Sequence, residues 1–162
     1  MTEKDLLIAW LNDAHAMENA LIQILEHQIK DAQDFPHVQP KLEQHLEQTR
    51  RHAEMVKGCI ETLGGKTSTV KTGMASLFGQ MQALSTGPAK DEMVKNALAD
   101  YAAENFEVAS YTAIIRAAQD LNDQQTASVC EQIRQEDEEM ANWILQNLPT
   151  LVQQTLKQVT TR

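Results

Sequence analysis

Four long segments of this chain share one pattern, in which apolar residues return at alternating steps of three and four until a proline or glycine stops them. Steps of three and four trace one face of an α-helix. The first segment runs from about Asp5 to Asp31, and Phe35-Pro36 with Pro40 marks the break after it. The second runs from about Pro40 to Leu63 and meets Gly64-Gly65, a strong stop. The third opens after "STGPAKDE" and reaches about Leu121, where "LNDQQ" interrupts it. The fourth runs from about Gln124 to Leu148, with Pro149 expected to end it. Leu, Ile, Val, Ala and Met supply most of the apolar residues while aromatics reach only 4%, so the expectation is an all-α chain.

The connections constrain the topology. Roughly 25 residues, "GKTSTVKTGMASLFGQMQALSTGPA", separate the second and third segments, with a short helix expected over Met74 to Leu84. The other two links are short. A four-helix bundle with short, long and short connections has the ferritin-like topology, the long link being the crossover. The length suits a single domain over 1–162, in which 150–162 would form a short C-terminal helix or a frayed tail.

Charge excludes some functions. The formal net charge is -9 and the tightest basic cluster is Arg50-Arg51, so a nucleic-acid partner is not expected. "MTEKDLLIAW" lacks the basic and apolar regions of a signal peptide, and no apolar run reaches the ~18 residues of a membrane span. Cys59 and Cys130 lie within helical patterns without metal-binding spacing and read as small buried hydrophobes of a reducing compartment. A cytoplasmic location is the resulting expectation.

Each apolar seam has a polar interruption. The seams read Leu7, Leu11, Ala14, Glu18, Leu21, Leu25; then Leu42, His45, Thr49, His52, Val56, Cys59, Leu63; then Val94, Ala97, Tyr101, Glu104, Val108, Tyr111, Ile115; then Val129, Ile133, Glu136, Met140, Trp143. Glu18, His52, Glu104 and Glu136 fall near the midpoints of their helices, so side-by-side packing brings them to one level whichever way each helix points. Glu107 and Glu139 follow Glu104 and Glu136 by three residues and share their faces, with Glu107 offset toward a neighbouring helix. His45 stands about 10 Å from His52 along the axis, in another layer.

Taken singly, a seam glutamate commonly snorkels to water and a lone core histidine is commonly satisfied by hydrogen bonds. Together they pose a harder problem, because buried carboxylates without a cation cost several kcal/mol each or must be protonated. A pair of divalent ions removes that cost, and carboxylates with imidazole suit iron or manganese better than zinc. Carboxylate-bridged dimetal bundles take one Glu from each of two helices and Glu-x-x-His from the other two. Part of that set is present: Glu18; His52 with Thr49 in the place of a Glu; Glu104-x-x-Glu107; and Glu136-x-x-Glu139.

At these residues the chain resembles the YciE/YciF ferritin-like stress proteins, within the rubrerythrin- and ferritin-like group. The resemblance spans nearly the whole chain and rests on "LNDAHAMENAL", "HLEQTRRHAE", "ENFEVASY" and "IRQEDEEMA". It implies a four-helix bundle with a dimetal centre, a dimeric habit and a link to bacterial stress responses. By the same resemblance Glu104 and Glu107 are metal ligands. Departures from the family pattern are Asn105 in place of His, Phe106 in place of Tyr, Gln48 in place of a carboxylate, Met140 in place of an acidic residue, and His15 in place of Tyr.

The function expected is a dimetal protein that reacts with dioxygen or peroxide. Glu104 and Glu136 would shift between terminal and bridging modes, Glu18 and Glu107 would cap one metal each, and Glu139 and His52 would complete the shell. Thr49, Tyr101, Tyr111 and His45 would stand behind these ligands, the tyrosines as hydrogen-bond or one-electron partners. No Cys-x-x-Cys module is present, so an enzyme of this kind would draw on an external electron donor. Two alternatives stay open: a metal-free helical bundle serving as an interaction scaffold, and an iron-storage subunit, which needs a closed cage rather than a homodimer.

Overall fold

The computed structural model describes residues 1–68 and 90–160. It contains four long helices, which we number α1 (Glu3–Asp31), α2 (Gln39–Thr62), α3 (Glu92–Asp120) and α4 (Gln124–Thr160). The short helix expected over Met74 to Leu84 lies outside the described residues.

Local chemistry sets most of the boundaries. Thr2 and Asp5 form a reciprocal capping box that satisfies two of the free N–H groups at the start of α1. A single 3-10 turn, Ala32–Asp34, follows α1, and Pro40 sits in the first turn of α2 where a missing N–H costs nothing. At the end of α2 the N–H of Gly65 donates to the carbonyl of Ile60 and that of Gly64 to Glu61, with Gly64 at φ 78. This is a Schellman stop, and only glycine enters that conformation without a Cβ penalty. Gly65 answers a second need, since a Cβ there would stand 2.8 Å from Ile8 Cγ2. The same stop closes α3, with Asn122 at φ 57 and the N–H of Asp123 donating to the carbonyl of Ala118. Asp123 then caps α4 by accepting from the N–H of Thr126.

Pro149 does not end α4, contrary to the sequence expectation; the helix continues to Thr160. The hydrogen bond that Pro149 cannot donate would have gone to the carbonyl of Leu145. Both residues lie on the exposed side, where water takes that carbonyl, and the continuation buries Leu151 and Thr155. Residues 150–160 therefore belong to α4 rather than to a separate helix or a frayed tail.

Helix directions follow from the side chains that meet. Glu26 meets Arg50 while Glu18 faces His52, so α1 and α2 are antiparallel. Gln28 bonds Asp100 while Glu18 bonds Tyr111, so α1 and α3 are antiparallel as well. Hence α2 and α3 run parallel, with the end of α2 and the start of α3 at opposite ends of the bundle. That is the crossover arrangement of the ferritin-like four-helix fold. Two apolar clusters fill the interior. One, built on Leu7, Leu11, Val56, Ile60, Ile114 and Ile133, occupies the end near the α1 N-terminus. The other, around Leu25, Phe35, Leu42, Met93, Ile144 and Leu151, fills the opposite end. The polar residues lie between them.

No helix among the described residues is long and apolar enough to cross a membrane. Cys59 and Cys130 are free and buried, as expected of small hydrophobes.

Candidate metal centre

Each helix contributes polar groups to one buried region. From α1 comes Glu18, from α2 His45 and His52, from α3 Glu104 and Glu107, and from α4 Asp137 with Glu136 at its edge. Glu18, His52, Glu107 and Asp137 are each no more than 1% exposed, and Glu104 and His45 are 2%. Glu18, His52 and Glu104 sit near the midpoints of helices packed side by side, which puts them at one depth, and Asp137 meets them nearer the start of α4, whose extension past Pro149 makes it the longest of the four.

The contacts divide the region into two groupings. In the first, His52 Nδ1 stands 3.7 Å from Glu18 Oε2 and 3.6 Å from Asp137 Oδ1, while its Nε2 is 2.9 Å from Glu136 Oε2. In the second, Glu104, Glu107 and Asp137 each place a carboxylate oxygen within 4.8 Å of the others. Asp137 belongs to both. Behind these groups, the Tyr111 hydroxyl donates to Glu18 Oε1, and His45 Nε2 meets Glu104 Oε1 at 2.7 Å.

Many of these atoms make no hydrogen bond. Glu18 Oε2, Glu104 Oε2, Glu107 Oε1, both Asp137 oxygens and the Nδ1 atoms of His45 and His52 are all buried without a hydrogen bond. An unpaired buried polar atom costs ~1–3 kcal/mol, and more when charged, so such a concentration calls for a cation or for protons. The spacings fit a cation. Two donors about 2.1 Å from one octahedral ion stand roughly 3 to 4 Å apart, the range seen between His52 Nδ1 and its two carboxylate neighbours.

Without a cation, two of the carboxyls, Glu107 and Asp137, hold their protons more tightly than ordinary ones. Burial first, and then the charges of Asp137, Glu18 and Glu104, push the Glu107 carboxyl well above its ordinary range. Asp137 is raised in the same way, by burial and then by Glu18, Glu104 and Glu136. Burial opposes the charge on His52, but Glu18 and Glu136 outweigh it and the imidazole pKa rises. His45 follows the same balance, with Glu104 as its partner. Tyr111, buried beside Glu18, is raised well above its ordinary range and keeps its proton.

The structure brings together Glu18, His52, Glu104 and Glu107 from the expected set, with Glu136 at the rim. Glu107 is as deeply buried as Glu104. Glu139 is corrected: it is exposed, because the inward phase of α4 runs Cys130, Ile133, Asp137, Met140, Ile144. Glu139 lies two residues, about 200° around the helix, from Asp137. Tyr101 is likewise corrected, being 36% exposed, since α3 turns Met93, Asn96 and, half-buried, Asp100 inward over that stretch. Thr49 is buried, but its hydroxyl donates to the carbonyl of His45 rather than to a carboxylate. Asn105 is on the outer face and donates to the carbonyl of Tyr101, so that departure from the family pattern does not touch the cluster.

Sequence reasoning missed Asp137 and Asp100. The signal for Asp137 was the alternative phase of the same three-and-four pattern on α4. Asp100 accepts from Gln28 Nε2 at 2.8 Å, and burial, partly offset by that bond, raises its carboxyl to about 7.

Comparisons with known proteins agree with this architecture. A Xanthomonas campestris protein of known crystal structure is 30% identical over 98% of this chain and 99% of its own, with a TM-score of 0.84. The Escherichia coli stress protein YciF is 19% identical over 94% of this chain and 98% of its own, with a TM-score of 0.79. A Desulfovibrio desulfuricans bacterioferritin, described as having a diiron site, is 21% identical over 98% of this chain and 87% of its own, with a TM-score of 0.79. The last two likenesses speak to the fold. The model of a domain of unknown function, DUF892, matches residues 2–157, and the chain belongs to that family, with a ferritin-like four-helix fold.

Proposed function

We propose that this protein binds a pair of divalent transition-metal ions, iron or manganese, between its four helices and uses them in chemistry with dioxygen or peroxide. The observation that supports this best is the set of buried carboxylate oxygens and imidazole nitrogens, without hydrogen bonds, converging from all four helices. Glu18 and His52 would hold one ion and Glu104 and Glu107 the other, with Asp137 between them offering both of its free oxygens, and Glu136 able to join from the rim. Five carboxylates, Glu18, Glu104, Glu107, Glu136 and Asp137, bring a charge near that of two divalent ions once both imidazoles are neutral. Bound iron or manganese would supply one-electron redox capacity at the buried cluster. The diiron site of the structurally similar bacterioferritin supports the same reading.

The protein's own residues have definable tasks here. The Tyr111 hydroxyl orients Glu18 through a hydrogen bond and keeps its proton close to the centre. His45 fixes one oxygen of Glu104, leaving Oε2 without a hydrogen bond. The apolar clusters on either side exclude bulk water. A homodimer in a stress response and an external electron donor complete the proposal.

Elemental analysis of protein prepared without chelator, followed by anaerobic Fe(II) titration, tests it. About two ions per chain are expected, as in other bundles of this type, and Glu107→Gln combined with Asp137→Asn should abolish saturable binding. Absence of saturable binding by the unaltered protein would favour the metal-free scaffold instead.

A further inference from the structure

Resting on the dimetal reading above, we propose that Arg51 guards the water-facing approach to the carboxylate cluster, so that an incoming metal ion reaches the site past Glu136 once the Arg51–Glu136 ion pair has opened. Burial points to this approach. The side chains of Glu18, His52 and Asp137 are 1% exposed and that of Glu104 is 3%, whereas Glu136 is 18% exposed. Among the described residues, Glu136 is the cluster carboxylate that meets solvent.

Its bonding spans outside and inside. Oε2 accepts from Arg51 Nη2 on the outer side and faces His52 Nε2 at 2.9 Å on the inner side, while Oε1 accepts from Gln132 at 3.3 Å. Nearly half of the Arg51 side chain is in water, so the guanidinium can swing clear without disturbing the core. While it is paired, it neutralises the first carboxylate that a metal ion would meet and presents a like charge to it. Arg50 provides an internal comparison. It lies one residue away and pairs with Glu26 and Glu47, both outside the cluster.

Stopped-flow mixing with Co(II) alone, followed by its visible absorbance, separates the possibilities. Arg51→Gln and Arg51→Met, each checked for helical content, should associate with Co(II) about three- to five-fold faster than the unaltered protein, the upper part of the factor expected for releasing an exposed ion pair. Arg50→Gln makes the same charge change and should stay within about two-fold; the advantage of the Arg51 variants should shrink as added salt screens the pair. Equal rates in the Arg50 and Arg51 variants, with Co(II) still bound at full stoichiometry, would overturn the guard and leave the metal centre standing. If the unaltered protein takes up no Co(II) at equilibrium, the centre and its guard fall together.

Discussion

Asp137→Asn should stabilise the metal-free protein and destabilise the metal-loaded one, so that the order of melting reverses when metal is added. In the metal-free state neither Asp137 oxygen has a hydrogen bond, and burial, followed by the neighbouring carboxylates, pushes its carboxyl well above the ordinary range. A carboxamide of the same shape removes that ionisation, and its N–H groups can donate to the free oxygens of Glu18, Glu104 or Glu107. Relieving one unsatisfied buried group is worth ~1–3 kcal/mol. A chain of this length shifts its melting point by ~2–4 °C per kcal/mol, so a rise of about 2–12 °C is expected with chelator present. Metal acts in the opposite sense. At a free concentration ~1,000 times Kd, binding stabilises the native state by ~4 kcal/mol, or roughly 8–16 °C, and the variant forfeits most of that by losing a shared ligand. Thermal melts followed by circular dichroism, in EDTA and in saturating Mn(II), measure both halves. A variant that melts below the unaltered protein in EDTA, together with no response of the unaltered protein to Mn(II), would refute the reasoning.

Three further outcomes follow from particular contacts. Glu139→Gln should leave metal stoichiometry and affinity unchanged within about two-fold by calorimetric titration, because that side chain faces solvent. Asp100→Asn should raise stability at pH 8 by ~1–2 kcal/mol and leave it unchanged near pH 3, as measured by urea unfolding; the ~4 kcal/mol equivalent of its full pKa shift is discounted because the residue is partly open to water. The sign follows from proton counting: the native carboxyl, raised to about 7, binds more protons than an ordinary one at 3.8, so the unaltered protein loses stability as pH climbs through that window. Leu151→Ala should cost ~2–4 kcal/mol in the same assay, since the extension of α4 beyond Pro149 buries that side chain among Leu25, Phe35 and Leu42; a loss under ~0.5 kcal/mol would show that the extension is not docked.

What the amino-acid sequence determined by itself was local. Gly64-Gly65, Asn122-Asp123, Thr2 and Pro40 set helix ends through backbone conformations and caps that involve only a few neighbouring residues. The shared depth of Glu18, His52 and Glu104 was legible nearly as directly, because a residue near the middle of its helix stays near the middle of any side-by-side bundle. The rotation of each helix was not. Steps of three and four fit two adjacent phases of one helix almost equally well, and neighbouring residues differ by ~100° around the axis. The pattern pointed to Glu136 and Tyr101, whereas the packing of Cys130, Ile133, Met140 and Ile144 against the other helices turned Asp137 inward, and on α3 Asp100 lies further in than Tyr101. Pro149 belongs with these cases. Its missing N–H predicts a break, yet only the tertiary structure decides whether the carbonyl it leaves unpaired faces water, and here water lies on that side, so the helix goes on.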